Sequence, residues 1–364
     1  MEKFEGCFSE LADPRAANAL HDLTEILFVA LAALLCGAES CVDMADFGRA
    51  KEGLLRRVLW LEHGIASHDT FSRVFRALKP EVFEAAFRRF MAAFGKANRI
   101  RGVVAIDGKA VRGAFARGRK ATPLHLVNVW AAEARLALAQ RTAPQRNEVA
   151  GVLEALALLS LKGCIVTADA LHCRRDTAQA ILACEADYVL ALKENQPTLW
   201  VDACQLVTTA TRREEAHAEQ PVSHGRYEWR QIIVVGAAAL ARKHAFPGIR
   251  AVARLTSYRQ LDGRQTKVVV RYFLLSRRFS AKRLLKVIRE HWGIENRLHW
   301  VLDVAFNEDR ARNRKDHGPE NLAILRKLAL NLIRLHPDTA SIRRKIKRAG
   351  WDDAFLLSLL AHMR

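Results

Sequence analysis

Near Ile100 the hydrophobic period of the sequence changes, and with it the kind of structure the chain can build. Ahead of that point every strong apolar pattern is helical. Asp22 is placed to cap a helix that runs to Leu34 and stops near Gly37, and Ser67, His68 and Asp69 open another. Pro80 starts a third, in which Val82, Phe83, Ala86, Phe87, Phe90, Met91 and Phe94 recur at the spacing of a packed face. Beyond Ile100 the apolar runs become short, continuous and rich in β-branched residues. A strand is predicted over residues 102 to 106, ending on Asp107, followed by a hairpin of LHLVNVWAA (124 to 132) and ARLALAQRT (134 to 142). A helix over about residues 148 to 159 leads to a second buried strand, GCIVTADA, ending on Asp169. RRDTAQAILAC is then helical, and DYVLALK is a third buried strand. This order predicts a mixed α/β sheet, whose functional side chains collect at the carboxyl ends of its parallel strands.

Residues 197 to about 278 are less regular. A helix through LWVDACQLVTTA is followed by strand-like pieces at YEWRQIIVVG, IRAVARLTS and TKVVVRYFLLS, which together read as a β-rich insertion. Helices return at 280 to 291, about 293 to 304, and 319 to 335. The predicted division is an all-helical part over residues 1–98, an α/β part over 99–340 with the insertion at about 197–278, and a basic helical tail over 341–364.

The charge balance narrows the partner. Fifty-eight Lys and Arg stand against 39 Asp and Glu, a net of +19, which favours a polyanion over a small acidic molecule. The surplus is concentrated: from Arg310 to Arg348 there are twelve Lys or Arg against three acids, a net of +9, in clusters such as RARNRK and RRKIKR that resemble a phosphate-tracking surface. Nucleic acid is the first candidate, and no membrane partner is expected. The apolar stretch at 26 to 38 is too short to span a bilayer, and Asp22 and Glu25 stand where a signal peptide would be basic. A soluble, cytoplasmic, nucleoid-associated protein is expected. The seven cysteines have no C-x-x-C spacing and fall mostly in apolar runs, so they read as buried thiols rather than zinc ligands or disulfides.

Three segments present an acid where such a fold would expose it: Asp107 after VVAI, Asp169 after CIVTA, and Glu295 on the helix GIENRLHWVLDV. Hard divalent cations take few protein carboxylates and complete their shell with water and substrate phosphate, and a pair of them can support an in-line phosphoryl displacement. Taken singly, each acid is also a turn former or a cap, and Glu295 could pair with His299 one helical turn on. Lys109, Arg112, Lys193, Asn195, Arg297, Arg310, Arg312 and Arg314 are the candidate DNA contacts, alongside the reading of exposed cations with no task. His172 is either an orienting residue or an exposed cap. Asp303 and Asp309 are surface or cap residues before they are metal helpers. Trp292 and Trp300, eight apart, are read as core rather than as base-stacking platforms.

The runs AIDGKAVRG, TADALHCRRDTAQAI, DYVLALKENQPTL and HWGIENRLHWVLDVAFNEDRARNR resemble the ISAs branch of bacterial insertion-sequence transposases, which includes the H-repeat-associated proteins. DPR at 13 to 15, LLCGAES at 34 to 40 and GIASHDTFSRVF at 64 to 75 are similar to that family's helical associated domain, so the resemblance covers nearly the whole chain. It implies a ribonuclease-H-like core with a DDE triad of Asp107, Asp169 and Glu295, binding Mg²⁺ or Mn²⁺. It further implies cleavage at transposon ends, strand transfer to target DNA, double-stranded DNA as partner and a homodimer or larger synaptic complex. Hairpin-forming relatives carry a Tyr, Arg, Glu, Lys signature around the third acid. The matching positions here are Ile288, His291, Glu295 and Leu302, so only the Glu is kept. A non-catalytic DNA-binding relative and a ribonuclease-H-like nuclease without strand transfer remain as alternatives.

Overall fold

The computed structural model describes residues 2–94, 100–114, 124–143, 147–223, 226–261 and 264–361. Its helical beginning follows from the caps. In α1 (Glu2–Phe8), α2 (Leu23–Leu35), α3 (Cys41–Ala50), α4 (Glu52–Leu55), α5 (His68–Ala77) and α6 (Pro80–Phe94), polar side chains close several first turns. Asp22 accepts from the Glu25 amide, Ser67 from the Thr70 amide, and Ser40 and Asp43 close a reciprocal capping box. Leu23 and Ile26 through Leu35 of α2 are all buried, so this helix is apolar on every side and forms the centre of the bundle. In α6, Phe83, Ala86, Phe87 and Phe90 are buried as the spacing predicts, whereas Val82 is 45% exposed and stands off that face.

The α/β part follows in the order β1 (Val103–Val111), β2 (Leu124–Ala131), β3 (Leu136–Thr142), α7 (Glu148–Ala157), β4 (Ile165–Ala168), α8 (Arg175–Ala183) and β5 (Asp187–Leu192). Next come α9 (Pro197–Thr209), β6 (Glu214–Ser223), β7 (Arg226–Gly236), α10 (Ala238–His244), β8 (Ala251–Leu261), β9 (Arg264–Gln265) and β10 (Val269–Leu275). The strands form one sheet in the order β3-β2-β1-β4-β5-β10-β8-β7-β6, with β9 added on β8. β1 is antiparallel to β2 and parallel to β4, and β4 is parallel to β5. This is a ribonuclease-H-like mixed sheet. The β-rich segment after residue 197 continues that sheet, because β10 pairs antiparallel with β5. β6 and α10, which periodicity did not single out, belong to it.

Both faces of the central strands are covered, which is why they read as unbroken apolar runs. Val103 and Ala105 face one core and Val104 and Ile106 the other. The second core lies under α7, α8 and α9. The first is shared with the N-terminal helices and with α11 (Ala281–His291), α12 (Trp300–Ala305), α13 (Gly318–Leu335), α14 (Ile342–Trp351) and α15 (Asp353–Ala361). α13 packs at once on β3, on α2, α5 and α6, and on α14. The predicted boundary at residue 98 lies outside the described residues, and no break in the core accompanies it in the residues on either side. Nor is the basic tail a free arm. Lys345 is buried and donates to the carbonyls of Ile333 and His336 at 3.0 and 3.1 Å, closing the end of α13, while Arg343, Arg344, Lys347 and Arg348 face outward.

Candidate active site

Asp107 does not end its strand. β1 runs on to Val111, five residues further than the apolar run predicts, because β2 stays paired with it through Val111↔Leu124. The strand that stops is β4, at Ala168, paired with Ile106. One step past that last pair, Asp107 and Asp169 stand side by side on neighbouring parallel strands, which run about 4.8 Å apart. Both lie on the face of Ala105 and Thr167, since side chains alternate along a strand. Asp169 also accepts from the Leu171 amide at 3.1 Å and so caps the turn that follows; the cap reading and the site reading hold together.

Glu295 enters from above that face. The segment predicted as one helix from 293 to 304 opens into a π-helical turn, Ile294–His299, before α12. Ile294 and Leu298 point into the core, and Glu295 and Arg297 face out. Arg334 of α13, stacked over the Trp130 ring, donates to the Arg297 carbonyl within this wider turn. Turns of this kind are frequent at functional sites because they move a side chain off the helical phase.

Asp107 senses the other two acids. Asp107 is pushed up to about 7, by burial first and then by the charges of Asp169 and Glu295, with Glu148 adding to them and the Gly108 amide at 3.0 Å opposing. His299 Nδ1 lies 3.7 Å from the Asp107 carboxylate, and its Nε2 meets Nδ2 of Asn128, the residue opposite Asp107 on β2, at 3.2 Å. Burial, then Lys109 and Lys327, lowers His299 to about 3, so the ring is neutral. With the Asn128 amide donating to Nε2, the ring proton sits on Nδ1 and faces Asp107. The surface pairing of Glu295 with His299 considered from spacing is therefore not formed. His291 holds the Thr167 hydroxyl at 2.9 Å and is lowered to about 4, mainly by burial.

Among the described residues, no three His, Cys, Asp or Glu side chains already close around a metal position. The donors nevertheless fit a hard divalent ion. They are carboxylate oxygens, few in number, on a partly open rim, and the charges of Asp169 and Glu295 disfavour the charged form of Asp107 until a cation joins them.

The candidate DNA contacts separate into two groups. Lys109, expected as an exposed cation, is only 8% exposed, and its ammonium lies 2.5 Å from Asp303 and 2.7 Å from Glu308, so it is held inside the protein. Glu308 is fully buried, and although burial alone would raise it, Lys327, Lys109 and Arg326 hold it down at about 2. Asp303 and Asp309 belong to this ion cluster rather than to the surface, Asp309 at 3.9 Å from Lys109. Asn195 donates at 2.7 Å to the Ala170 carbonyl and braces the turn after Asp169. Arg314 donates at 2.8 Å to the Gly113 carbonyl, where a Cβ on Gly113 would come within 2.4 Å of the Ala311 carbonyl oxygen. Arg112, Lys193, Arg297, Arg310 and Arg312 are exposed, Arg112 with Asp309 at 3.7 Å.

Other expectations change as well. Trp300 is 61% exposed rather than core, and Trp292 is half-buried with the Arg271 guanidinium 5.2 Å from its ring centre. His172, taken for a cap or an exposed residue if not an orienting one, is fully buried. Sequence reasoning missed Asn128 and Glu148, and took His299 only as a partner of Glu295. A lone Asn inside the apolar run LHLVNVWAA is the one signal available for the first, because a buried amide needs a partner. Glu148 gives no signal beyond being an acid in a first helical turn.

A ribonuclease-H-like sheet with two aspartates at adjacent strand positions and a glutamate on a covering helix defines a phosphoryl-transfer enzyme of the DDE type. The chain belongs to the Transposase DDE domain family, which matches residues 98–332, and residues 6–91 match the DDE_Tnp_1-associated family. It is a DDE transposase, and its domain requires a divalent metal. YbfL of Escherichia coli K12 is 32% identical over 351 residues, covering 94% of this chain and 93% of the relative. The "H repeat-associated putative transposase YhhI" of the same strain is 31% identical over 351 residues, with the same coverage of 94% and 93%. A solved piggyBac transposase synaptic complex with hairpin DNA aligns with a TM-score of 0.43 at 10% identity, over 98% of this chain and 77% of that one.

Proposed function

We propose that Asp107, Asp169 and Glu295 hold the divalent metal, Mg²⁺ or Mn²⁺, and that the protein cuts DNA at transposon ends and joins the freed 3′ ends to target DNA. The adjacency of Asp107 and Asp169 at the point where β4 stops carries this reading. The metal supplies activation of the attacking oxygen and stabilisation of the leaving one. The chain's own residues supply position. The β1–β4 ladder ends one residue short of Asp107 and Asp169 and so brings both to one level, the π-helical turn presents Glu295, and the neutral His299 points its Nδ1 proton at Asp107.

Arg112, Lys193, Arg297, Arg310 and Arg312 are the proposed phosphate contacts around this rim. Two ends must be paired, so a homodimer or larger synaptic complex is the proposed working form. No described helix is long and apolar enough to cross a membrane, and we place the protein on DNA, at the nucleoid in the cytoplasm. With terminal inverted-repeat DNA and Mg²⁺, Asp107→Asn is expected to abolish cleavage and strand transfer while DNA binding persists. Full activity in that variant overturns the metal assignment. Cleavage by the unaltered protein without joined product would replace the reading with that of a nuclease.

A further inference from the structure

Behind Asp107, on the opposite face of β1, lies a fourth carboxylate. Glu148 opens α7 and leans over Gly108 so closely that a Cβ there would fall 2.4 Å from its Oε2. Only a glycine leaves room for it. On its other side, Glu148 Oε1 is 3.3 Å from His125 Nδ1, and Oε2 is 3.8 Å from His172 Nε2. The same His172 nitrogen lies 3.9 Å from Asp169 Oδ1. His172 is fully buried, and neither of its ring nitrogens has a hydrogen-bond partner among the described residues.

A buried imidazole with both nitrogens unpartnered is costly unless it serves its neighbours, and the neighbours here are two carboxylates. From these contacts we infer that Glu148 is a positioning residue of the metal centre: it backs Asp107 through the space left by Gly108 and reaches Asp169 through His172. The inference rests on the assignment of Asp107 and Asp169 as metal ligands. The two strand-borne acids come from strands that part at this level, since β4 ends at Ala168, so the sheet ladder no longer fixes their separation. Glu148 and His172 fill the gap and tie the start of the 170–172 turn to α7 and β1. Partners of this sort orient ligands, and their loss commonly weakens metal binding by about 10–100-fold.

The test measures Mn²⁺ binding to the full chain without DNA, by electron paramagnetic resonance of the free ion. Glu148→Gln keeps the shape and removes the charge, and is expected to weaken binding by about tenfold. Gly108→Ala should do the same by displacing Glu148, and the double variant Gly108→Ala/Glu148→Gln should be no worse than either single one. Glu148→Asp should recover part of the loss. Thermal unfolding of the metal-free variants checks that each folds, and a variant that does not is set aside in favour of the other. Unchanged affinity in folded Glu148→Gln, with binding lost in Asp107→Asn, overturns the role of Glu148 and leaves the triad standing. Unchanged affinity in both overturns the triad, and the inference with it. Additive losses in the double variant overturn the link through Gly108.

Discussion

Lys109→Met removes one charge from a closed set and separates two accounts of the same residue. Lys109 bridges Asp303 and the fully buried Glu308, and Lys327 sits 3.9 Å from Glu308 on the other side. Held at about 2 instead of the ordinary 4.5, Glu308 prefers its charged form by about 3 kcal/mol, shared among Lys327, Lys109 and Arg326. Methionine fills the lysine's volume but leaves Glu308 and Asp303 short of one cation. Breaking a buried pair in this way costs about 3–5 kcal/mol, and the lower end is expected here because Lys327 remains. Urea unfolding at pH 7 should show the midpoint fall, and Lys109→Met/Glu308→Gln should recover most of it, since the uncompensated charge is gone. The salt dependence of DNA binding should keep its slope. A stable Lys109→Met whose slope of log affinity against log salt falls by about 0.9 would refute the buried-cluster account and return Lys109 to the phosphate surface.

Three further outcomes follow from the same geometry. The depressed Glu308 contributes stability that is complete above its unfolded value of 4.5 and is lost as pH falls towards about 2; acid unfolding of Glu308→Gln should lack that component over this window. Asp107, raised to about 7, must release its proton to take a metal, so Mn²⁺ affinity should climb about tenfold per pH unit up to about pH 7 and then level, as titration calorimetry at several pH values would show. Arg310→Ala and Arg312→Ala, on exposed side chains, should each lower the salt slope of DNA binding by about 0.9 without changing thermal stability, and a slope that does not move removes them from the interface.

What the sequence makes legible is whatever depends on neighbouring residues. The caps at Asp22 and Ser67, the buried runs of β1, β4 and β5, and the hairpin all follow from local pattern and chemistry. The apolar run of β1 ends at Ile106, although the strand continues to Val111. Its length is set instead by pairing with β2, which composition does not encode. Lys109 shows the limit most clearly: its charge is plain, but the acids that bury it lie 194 and 199 residues away. Helical phase places Trp300 in the core, and the π-helical turn ahead of it breaks that phase. Glu148 was invisible because its role is created by an absence, the missing side chain of Gly108.

The place of α13 bears on how such a chain can change over time. One helix is wedged among the N-terminal helices, the sheet edge and the C-terminal helices, and the apolar surface on all its sides is common property. The segment ahead of residue 94 therefore cannot be exchanged between relatives as a cassette, however clean the shift of period near Ile100 makes the seam look. A graft that brings new N-terminal helices must bring a matching α13, more than two hundred residues further on, or leave a mismatched core on both sides of it. Recombination within this family is expected to fail at the junction that the change of period near Ile100 marks.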